Sequence, residues 1–171
     1  ASPEFAVSIA TIIVNYNAGE TLQRCVGALL GSTAHTKVTV VDNASADGSA
    51  EKLRSLYGNQ SNIEFLFNPS NLGFARAVNA VAKRIEADWV LILNPDCILE
   101  KNALELLRDA LVNDPQAGLA APAVRDAEGQ IQRATQRRFP DPWKSLMTVS
   151  GLWRLGRWLP AFRGIEIDVS K

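Results

Sequence analysis

Val90-Leu91-Ile92-Leu93-Asn94-Pro95-Asp96 runs four apolar residues straight into a turn-forming tripeptide. A short unbroken apolar run bounded by turn residues is the pattern of a strand buried on both faces of a parallel sheet. Pro95 has no N–H to give to a ladder, so the strand stops there and Asp96 leaves the sheet at its carboxyl end. In open α/β sheets, ligands collect at that edge.

Upstream, Val7 to Val14 is apolar and β-branched, a buried first strand closed by Asn15-Tyr16-Asn17. Asn17 with Glu20 three residues later has the form of a helix N-cap and capping box. Leu22, Cys25, Val26, Leu29 and Leu30 then recur at helical spacing. Val38 to Val41 is a second strand ending at Asp42-Asn43; Ser45 to Ser49 is a turn, with Ala50, Leu53 and Leu56 marking a short helix behind it. Ile63 to Phe67 is a third strand closed by Asn68-Pro69, and Phe74, Ala77, Val78, Val81 and Ile85 mark a helix that begins near Asn71 and Gly73. Downstream of Val90–Leu93, a helix carries Ala103, Leu104, Leu107, Ala110 and Leu111 and is stopped by Asn113-Asp114-Pro115. Leu119 to Pro122 is read as a fifth strand, with Gly129 to Arg133 in a hairpin with it.

Strand and helix alternate four times. That is the pattern of an α/β fold with an open, mostly parallel sheet and helices on both faces. Right-handed crossovers place the ends of strands one, two and four on one edge. Asn15, Tyr16, Asp42, Asn43, Asn94 and Asp96, scattered in sequence, are thereby gathered around one crevice.

The 171 residues, 47% of them hydrophobic, suffice for one core. Lys+Arg and Asp+Glu are both 18, so the net charge gives no argument for nucleic acid or a membrane, and any charge argument is local. Two cysteines in unrelated settings, Cys25 and Cys97, fit a reducing, cytoplasmic compartment better than a disulfide scaffold. Neither a signal peptide nor an apolar run long enough to span a bilayer is seen. Ala1-Ser2-Pro3-Glu4-Phe5 has the look of a cloning remnant and is left out of the fold argument.

Several chemistries are excluded by pattern. No Gly-x-Gly-x-x-Gly follows the first strand and no Gly-x-x-x-x-Gly-Lys-Ser/Thr occurs, against a dinucleotide or P-loop enzyme. His35 is the only histidine, and neither a zinc site nor a Ser-His-Asp set can be assembled around it. Asn15-Tyr16-Asn17-Ala18-Gly19 is not the Gly/Arg/Lys-rich loop of a nucleotidyltransferase. What remains is acidic. Asp96 is either a helix N-cap or a metal ligand, and Asp42 is explained by turn chemistry alone or by a site. Two acids at one edge repel unless a cation or a donor-rich ligand compensates them. Tyr16 suits a rim aromatic or a surface that stacks on a flat base. Gly73 starts a helix and lets a ligand approach the backbone there, where the helix N-terminus favours an anion. Arg76 is as well explained by solvation as by phosphate. Cys97 is read as a packed thiol, because a soft ligand beside a hard carboxylate suits magnesium or manganese poorly. Cys25 is core.

Past Arg133 the character changes. Arg133, Arg137, Arg138, Lys144, Arg154, Arg157 and Arg163 face a single acid, Asp141, with Trp143, Trp153 and Trp158 interspersed. This stretch is a solvated face, an amphipathic segment meeting anionic lipid headgroups or a lipid-linked acceptor, or core surface awaiting further chain; the close spacing of Trp143, Leu146, Met147 and Val149 ranks the last two above the first. A Trp-rich surface of this kind also offers a route to self-association. Ile165 to Val169 alternates apolar and acidic residues and reads as one more strand.

Four motifs occur together in one order and spacing: Ile12-Ile13-Val14-Asn15-Tyr16-Asn17, Val40-Val41-Asp42-Asn43-Ala44-Ser45-Ala46-Asp47-Gly48-Ser49, Asn71-Leu72-Gly73-Phe74-Ala75 through Asn79, and Leu93-Asn94-Pro95-Asp96. In these the chain resembles the inverting, GT-A-fold nucleotide-sugar glycosyltransferases of family 2, in particular their rhamnosyltransferase-like bacterial branch. The match covers roughly Val7 to Arg138. The resemblance implies a Rossmann-like fold and a site for a nucleoside-diphosphate sugar in which Asn15, Tyr16, Asn17, Asp42, Asn43, Gly73, Asn94 and Asp96 take part. Tyr16 would lie against the base, Asp42 would bind base or ribose, and Gly73 would border the nucleotide. Asn94-Pro95-Asp96 would stand for the family's Asp-x-Asp motif, with Asp96 on a divalent metal, Mn or Mg, and the diphosphate. Asn94 in place of the first acid weakens metal binding on charge grounds. The implied acceptor is a glycan or lipid-linked glycan of cell-surface polysaccharide synthesis, and the implied place is the cytoplasm, at the inner face of the membrane. The family's general base follows in a second half, and Asp126, Asp141 and Asp168 sit in no matching motif. The expectation is therefore a donor-binding domain over 6–138, a basic, Trp-rich start of an acceptor region over 139–171, and a general base beyond Lys171. The rival reading is a non-catalytic nucleotide- or sugar-binding module.

Overall fold

A computed structural model describes residues 8–126, 128–132, 141–157 and 159. The chain divides into two compact units, one ending at Ala120 and the other beginning at Ala121.

The first unit is built on β1 (Ile9–Asn15), whose seven residues are all buried. Its β-branched run suits an extended, two-sided environment. β2 (Lys37–Asp42) and β3 (Ile63–Phe67) follow on one side of it, and β4 (Trp89–Leu93) lies on the other, giving the parallel order β3-β2-β1-β4. The chain steps outward from β1 to β3 and then returns across β1 to β4. The reversal makes the gap between the carboxyl ends of β1 and β4 a topological switch point. Register fixes what stands there: Asn15 is opposite Asp42, and Ile13 is opposite Leu93.

Helices cover both faces, as the alternation required. Between β1 and β2, α1 (Glu20–Leu30) turns Leu22, Cys25, Val26 and Leu29 into a cluster with Ile13, Val38 and Val40. Leu53 of α2 (Ser49–Tyr57) and Leu104 of α4 (Ala103–Asn113) close the same cluster. α3 (Phe74–Ala82) places Ala77, Val78 and Val81 on the opposite face, over Ile12, Val14 and Val41. Each fully buried aliphatic side chain contributes about 1.5–3 kcal/mol by removal from water.

Three expectations need correction. β4 is not buried on both faces: Val90 and Ile92 are 42% and 51% exposed, while Trp89, Leu91 and Leu93 face the α1 cluster. The cause is placement, since β4 is an edge strand among the described residues and α3 packs over β1 and β2 instead. Asn17 does not cap α1; Gly19 does, at φ 59, without a side-chain bond. Asn17 itself sits at φ 53 and its Oδ1 accepts from the Ala46 amide at 2.7 Å, so the capping oxygen is engaged elsewhere. Leu119 to Pro122 forms no strand.

In the second unit, a single antiparallel bridge joins Arg125 to Ile131. Gly129 takes the turn at φ 79, and Asp126 Oδ1 accepts from the Gln130 amide at 2.8 Å. Gly129 thus belongs to a hairpin, but one whose paired residues are Arg125 and Ile131 rather than one formed with Leu119 to Pro122. α5 (Pro142–Val149) has an unforeseen but legible start: Asp141 caps it by accepting from the Lys144 amide, and Pro142 occupies the first turn. A 3-10 segment, Leu152–Arg157, follows. Arg133 and Ile165 to Val169 lie outside the described residues.

Candidate functional site

The carboxyl ends of β1 and β2 are joined by a buried polar network. Asn15 is the last residue of β1, and its Nδ2 donates to Asp42 Oδ1 at 2.8 Å, to Ser49 Oγ at 2.9 Å and to Ser45 Oγ at 3.0 Å. Asp42 Oδ1 also accepts from Ser45 Oγ at 2.6 Å, and Oδ2 from the Ser45 amide at 2.9 Å. Both residues are buried. The Asp42 charge is thus balanced by hydrogen-bond donors, and the turn after β2 supplies most of them. This changes the electrostatic argument from sequence, because Asp42 needs no cation to tolerate its position.

The loops after β1 and β2 are latched to one another outside this network. The Asn17 amide donates to Ser45 Oγ at 3.0 Å, and the Gly19 amide donates to Asp47 Oδ2 at 2.8 Å. Asp47 Oδ1 accepts from both the hydroxyl and the amide of Ser49. The Ser49 hydroxyl, with lesser help from the Ser49 and Gly19 amides, holds the Asp47 carboxyl below the usual range. Ala44 at φ 60 and Gly48 at φ 71 give the turn its tight path. Ser45, Asp47 and Ser49 were not singled out from sequence as site residues. The signal was there in the Asp-x-x-Ser spacing from Asp42 to Ser45, which favours a side-chain-to-backbone turn.

The remaining candidates occupy the rim. Tyr16 is 54% exposed between the two buried network residues' loops. Asn43 is buried, its amide donating to the Asn15 carbonyl at 2.9 Å and its Oδ1 accepting from Asn68 Nδ2 at 2.8 Å. Asn94 leaves β4 exposed, while its carbonyl accepts from the Cys97 amide at 3.1 Å and from Cys25 Sγ at 3.4 Å. Asp96 is exposed, and its Oδ1 accepts only a long contact of 3.8 Å from Cys97 Sγ. Gly73 stands at the N-terminus of α3 with φ 79 and ψ 158, its amide donating to Asn71 Oδ1 at 2.8 Å.

The structure therefore brings Asn15, Asn17, Asp42 and Asn43 into one bonded group, with Tyr16 carried between them. Asp96 is at the same sheet edge but separate: β1 lies between β2 and β4, which puts about 10 Å between those strands. Asp42 and Asp96 do not form a pair. Gly73 belongs to the helix on the opposite face of the sheet from α1.

Both thiols behave as packed groups. Cys25 is fully buried, and burial first, then the charges of Cys97 and Asp96, push its thiol up to about 12. Cys97 is half-buried and raised by the same causes, burial ahead of Asp96.

Among the described residues, no group of three His, Cys, Asp or Glu side chains could hold a metal ion. Past the carboxyl end of β4, Asp96 offers one exposed carboxylate. That donor set does not fit an ion held by protein alone. It does fit magnesium or manganese arriving with a diphosphate, because such ions are commonly held by one or two carboxylates plus phosphate oxygens and water.

A family model described as glycosyl transferase family 2 matches residues 10–169. The chain belongs to glycosyl transferase family 2. Among curated relatives of this family 2 chain is the N-acetylglucosaminyl-diphospho-decaprenol L-rhamnosyltransferase of Mycobacterium tuberculosis, 26% identical over 177 residues that span 95% of this chain and 56% of the relative. The hyaluronan synthase of Pasteurella multocida is 30% identical over 107 residues, 62% of this chain and 11% of that protein. The chain thus spans about half the length of the first of these relatives. Two solved structures share the fold. The mannosyltransferase PcManGT from Pyrobaculum calidifontis, in complex with GDP-Man and Mn2+, superposes with a TM-score of 0.62 at 20% identity, over 68% of this chain and 35% of that one. S. aureus TarS 1-349 in complex with UDP-GlcNAc gives 0.57 at 19% identity, over 67% and 37%. The family 2 chain therefore has the GT-A fold that its strand–helix alternation and motifs anticipated.

Proposed function

We propose that the carboxyl edge of this sheet binds a nucleoside-diphosphate sugar together with Mn or Mg, and that the whole protein transfers the sugar with inversion to a glycan or lipid-linked glycan acceptor in cell-surface polysaccharide synthesis. The observation that supports the reading is the exposed Asp96 carboxylate just past β4, at the same sheet edge as exposed Tyr16 and the buried Asn15–Asp42 network.

Each residue has a distinct part. Tyr16 offers a face for the base. Asp42 accepts three hydrogen bonds from Asn15 and Ser45, and a carboxylate has room for about four. One acceptor position is left for a base N–H or a ribose hydroxyl. Asn15, Asn17 and Asn43 hold that acceptor and the Tyr16 loop in place. Gly73 presents the α3 N-terminus, whose unpaired amides favour the diphosphate. Asp96 would hold the metal, with Asn94 two residues before it in the chain. The bound metal would stabilise charge on the leaving diphosphate as a Lewis acid.

In the transfer, a base takes the proton of the acceptor hydroxyl, which attacks the anomeric carbon from the face opposite the diphosphate. The C–O bond to the diphosphate breaks as the new one forms, so configuration inverts. Asp141 is engaged with Lys144 and caps α5, and Asp126 closes a hairpin turn. Neither is placed as a base. A chain that binds the donor without such a base would transfer little, since general-base help alone contributes about 10²- to 10⁴-fold.

Isothermal titration of UDP, dTDP and GDP, with and without Mn2+, on the wild type and Asp96→Ala tests the donor site. The expected result is metal-dependent binding of at least one nucleotide that Asp96→Ala loses. Absence of wild-type binding under every condition overturns the reading.

A further inference from the structure

Residues 141–157 form a second feature. In α5, Trp143, Leu146 and Val149 recur every three residues, which confines them to about 120° of the helix circumference. All three are exposed, Val149 to 88%. The 3-10 segment that follows adds exposed Leu152, Trp153 and Leu155. Among the described residues, 141–157 thus present apolar surface to solvent at six positions, two of them tryptophans.

Charge says what chemistry covers it. From Arg133 to Arg163 the sequence carries seven basic residues against one acid, in a chain that is balanced as a whole. The one acid, Asp141, is already paired with Lys144. The Arg154 guanidinium lies 6.0 Å from the Trp153 ring, so a cation and an indole are presented together. Apolar positions with interspersed Trp and Arg suit the boundary between lipid headgroups and acyl chains, and one-sided positive charge suits an anionic leaflet. A second copy of this chain fits poorly, because it would bring the same excess of positive charge against the first. Among the described residues no helix is long and apolar enough to cross a membrane, so the contact is peripheral.

We infer that residues 141–157 are an interfacial segment that docks on an anionic lipid bilayer, with Trp143, Leu146, Val149 and Trp153 entering the headgroup layer and Arg154 meeting lipid phosphate. This places the protein at a membrane surface irrespective of which nucleotide it binds.

The test is sedimentation of the 171-residue protein with vesicles of phosphatidylcholine alone and of phosphatidylcholine mixed with phosphatidylglycerol. Partition is expected on the anionic vesicles only, falling as salt is raised. Arg154→Ala should weaken it about fivefold, the equivalent of one basic residue near the surface. The double variant Leu146→Asp, Val149→Asp should abolish it while circular dichroism and nucleotide titration stay as in wild type, which separates this inference from the donor site. Equal binding to both vesicle types, no binding to either, sedimentation without vesicles, or full partition of Arg154→Ala or the double variant overturns it.

Discussion

The Asn15 amide nitrogen stands 2.8 Å from the Asp42 carboxylate, on the same rung of two parallel strands. The consequence is that a buried charge at the sheet edge is held by a neutral side chain and a turn. Replacing Asn15 by alanine removes the donor shared by Asp42, Ser45 and Ser49 and leaves a buried carboxylate with fewer partners. Asn15→Ala should cost about 1–3 kcal/mol in urea unfolding. Asn15→Asp should cost more, because it sets a second carboxylate against the first. Unchanged unfolding midpoints for both variants would show that the network contributes nothing to stability.

Asp47 gives the latch a pH dependence. Its folded pKa is lowered, chiefly by the Ser49 hydroxyl. The stability it contributes is therefore complete above the unfolded aspartate value, about pH 4, and is lost as pH falls through the lower folded value. Asp88 and Asp141 are lowered too and carry the same sign. A single wild-type acid titration cannot separate the three. The difference between wild type and Asp47→Asn should shrink below about pH 4, and, for so exposed a group, should not exceed about 1 kcal/mol at neutral pH. Urea midpoints measured as a function of pH check it; a constant difference down the acid limb defeats the assignment.

The fold was legible because hydrophobic period and turn residues agree along the first unit. Ile63 to Phe67 is strand with the bounds read from sequence, and the Leu22–Cys25–Val26–Leu29 stripe is the buried face of α1. β4 was misread for a physical reason: Val90-Leu91-Ile92-Leu93 has the composition of a two-sided strand, but burial of its second face depends on which helix lies over it. Periodicity carries no such information. Asn17 shows the same limit at the site. Its side chain suits a helix cap, and a contact with Ala46, 29 residues away, takes it instead. The gathering of Asn15 and Asp42 followed from the parallel order, whereas the donors that neutralise Asp42 became visible only with the turn in place.

Cys25 and Cys97 should differ in reactivity in the order of their burial. With a pKa of about 12, Cys25 holds almost no thiolate at mild alkaline pH, and the side chain is fully buried on the α1 stripe. Cys97 is raised as well but half-exposed. An aromatic disulfide reagent should modify Cys97 slowly and Cys25 only on unfolding, with both thiols titrating in denaturant. Prompt reaction of Cys25 in native protein would contradict the packing of α1 on β1.

Gly73 should be a sensitive glycine of the donor edge. Its φ of 79 and ψ of 158 lie where a side chain is strained, yet a Cβ there meets no atom within 4 Å. The cost of Gly73→Ala is therefore backbone strain without a clash, about 1–3 kcal/mol. Gly118 is a matched control: its Cβ also has open space, and its φ is not in the left-handed region. Gly118→Ala should be neutral or slightly stabilising through the unfolded state. If the chain relieves the strain at Gly73 by rotating the residue, the first turn of α3 turns away from the sheet edge, and nucleotide affinity falls along with stability. Urea unfolding and nucleotide titration on the two variants decide the matter, and equal behaviour of Gly73→Ala and Gly118→Ala would remove Gly73 from the donor site.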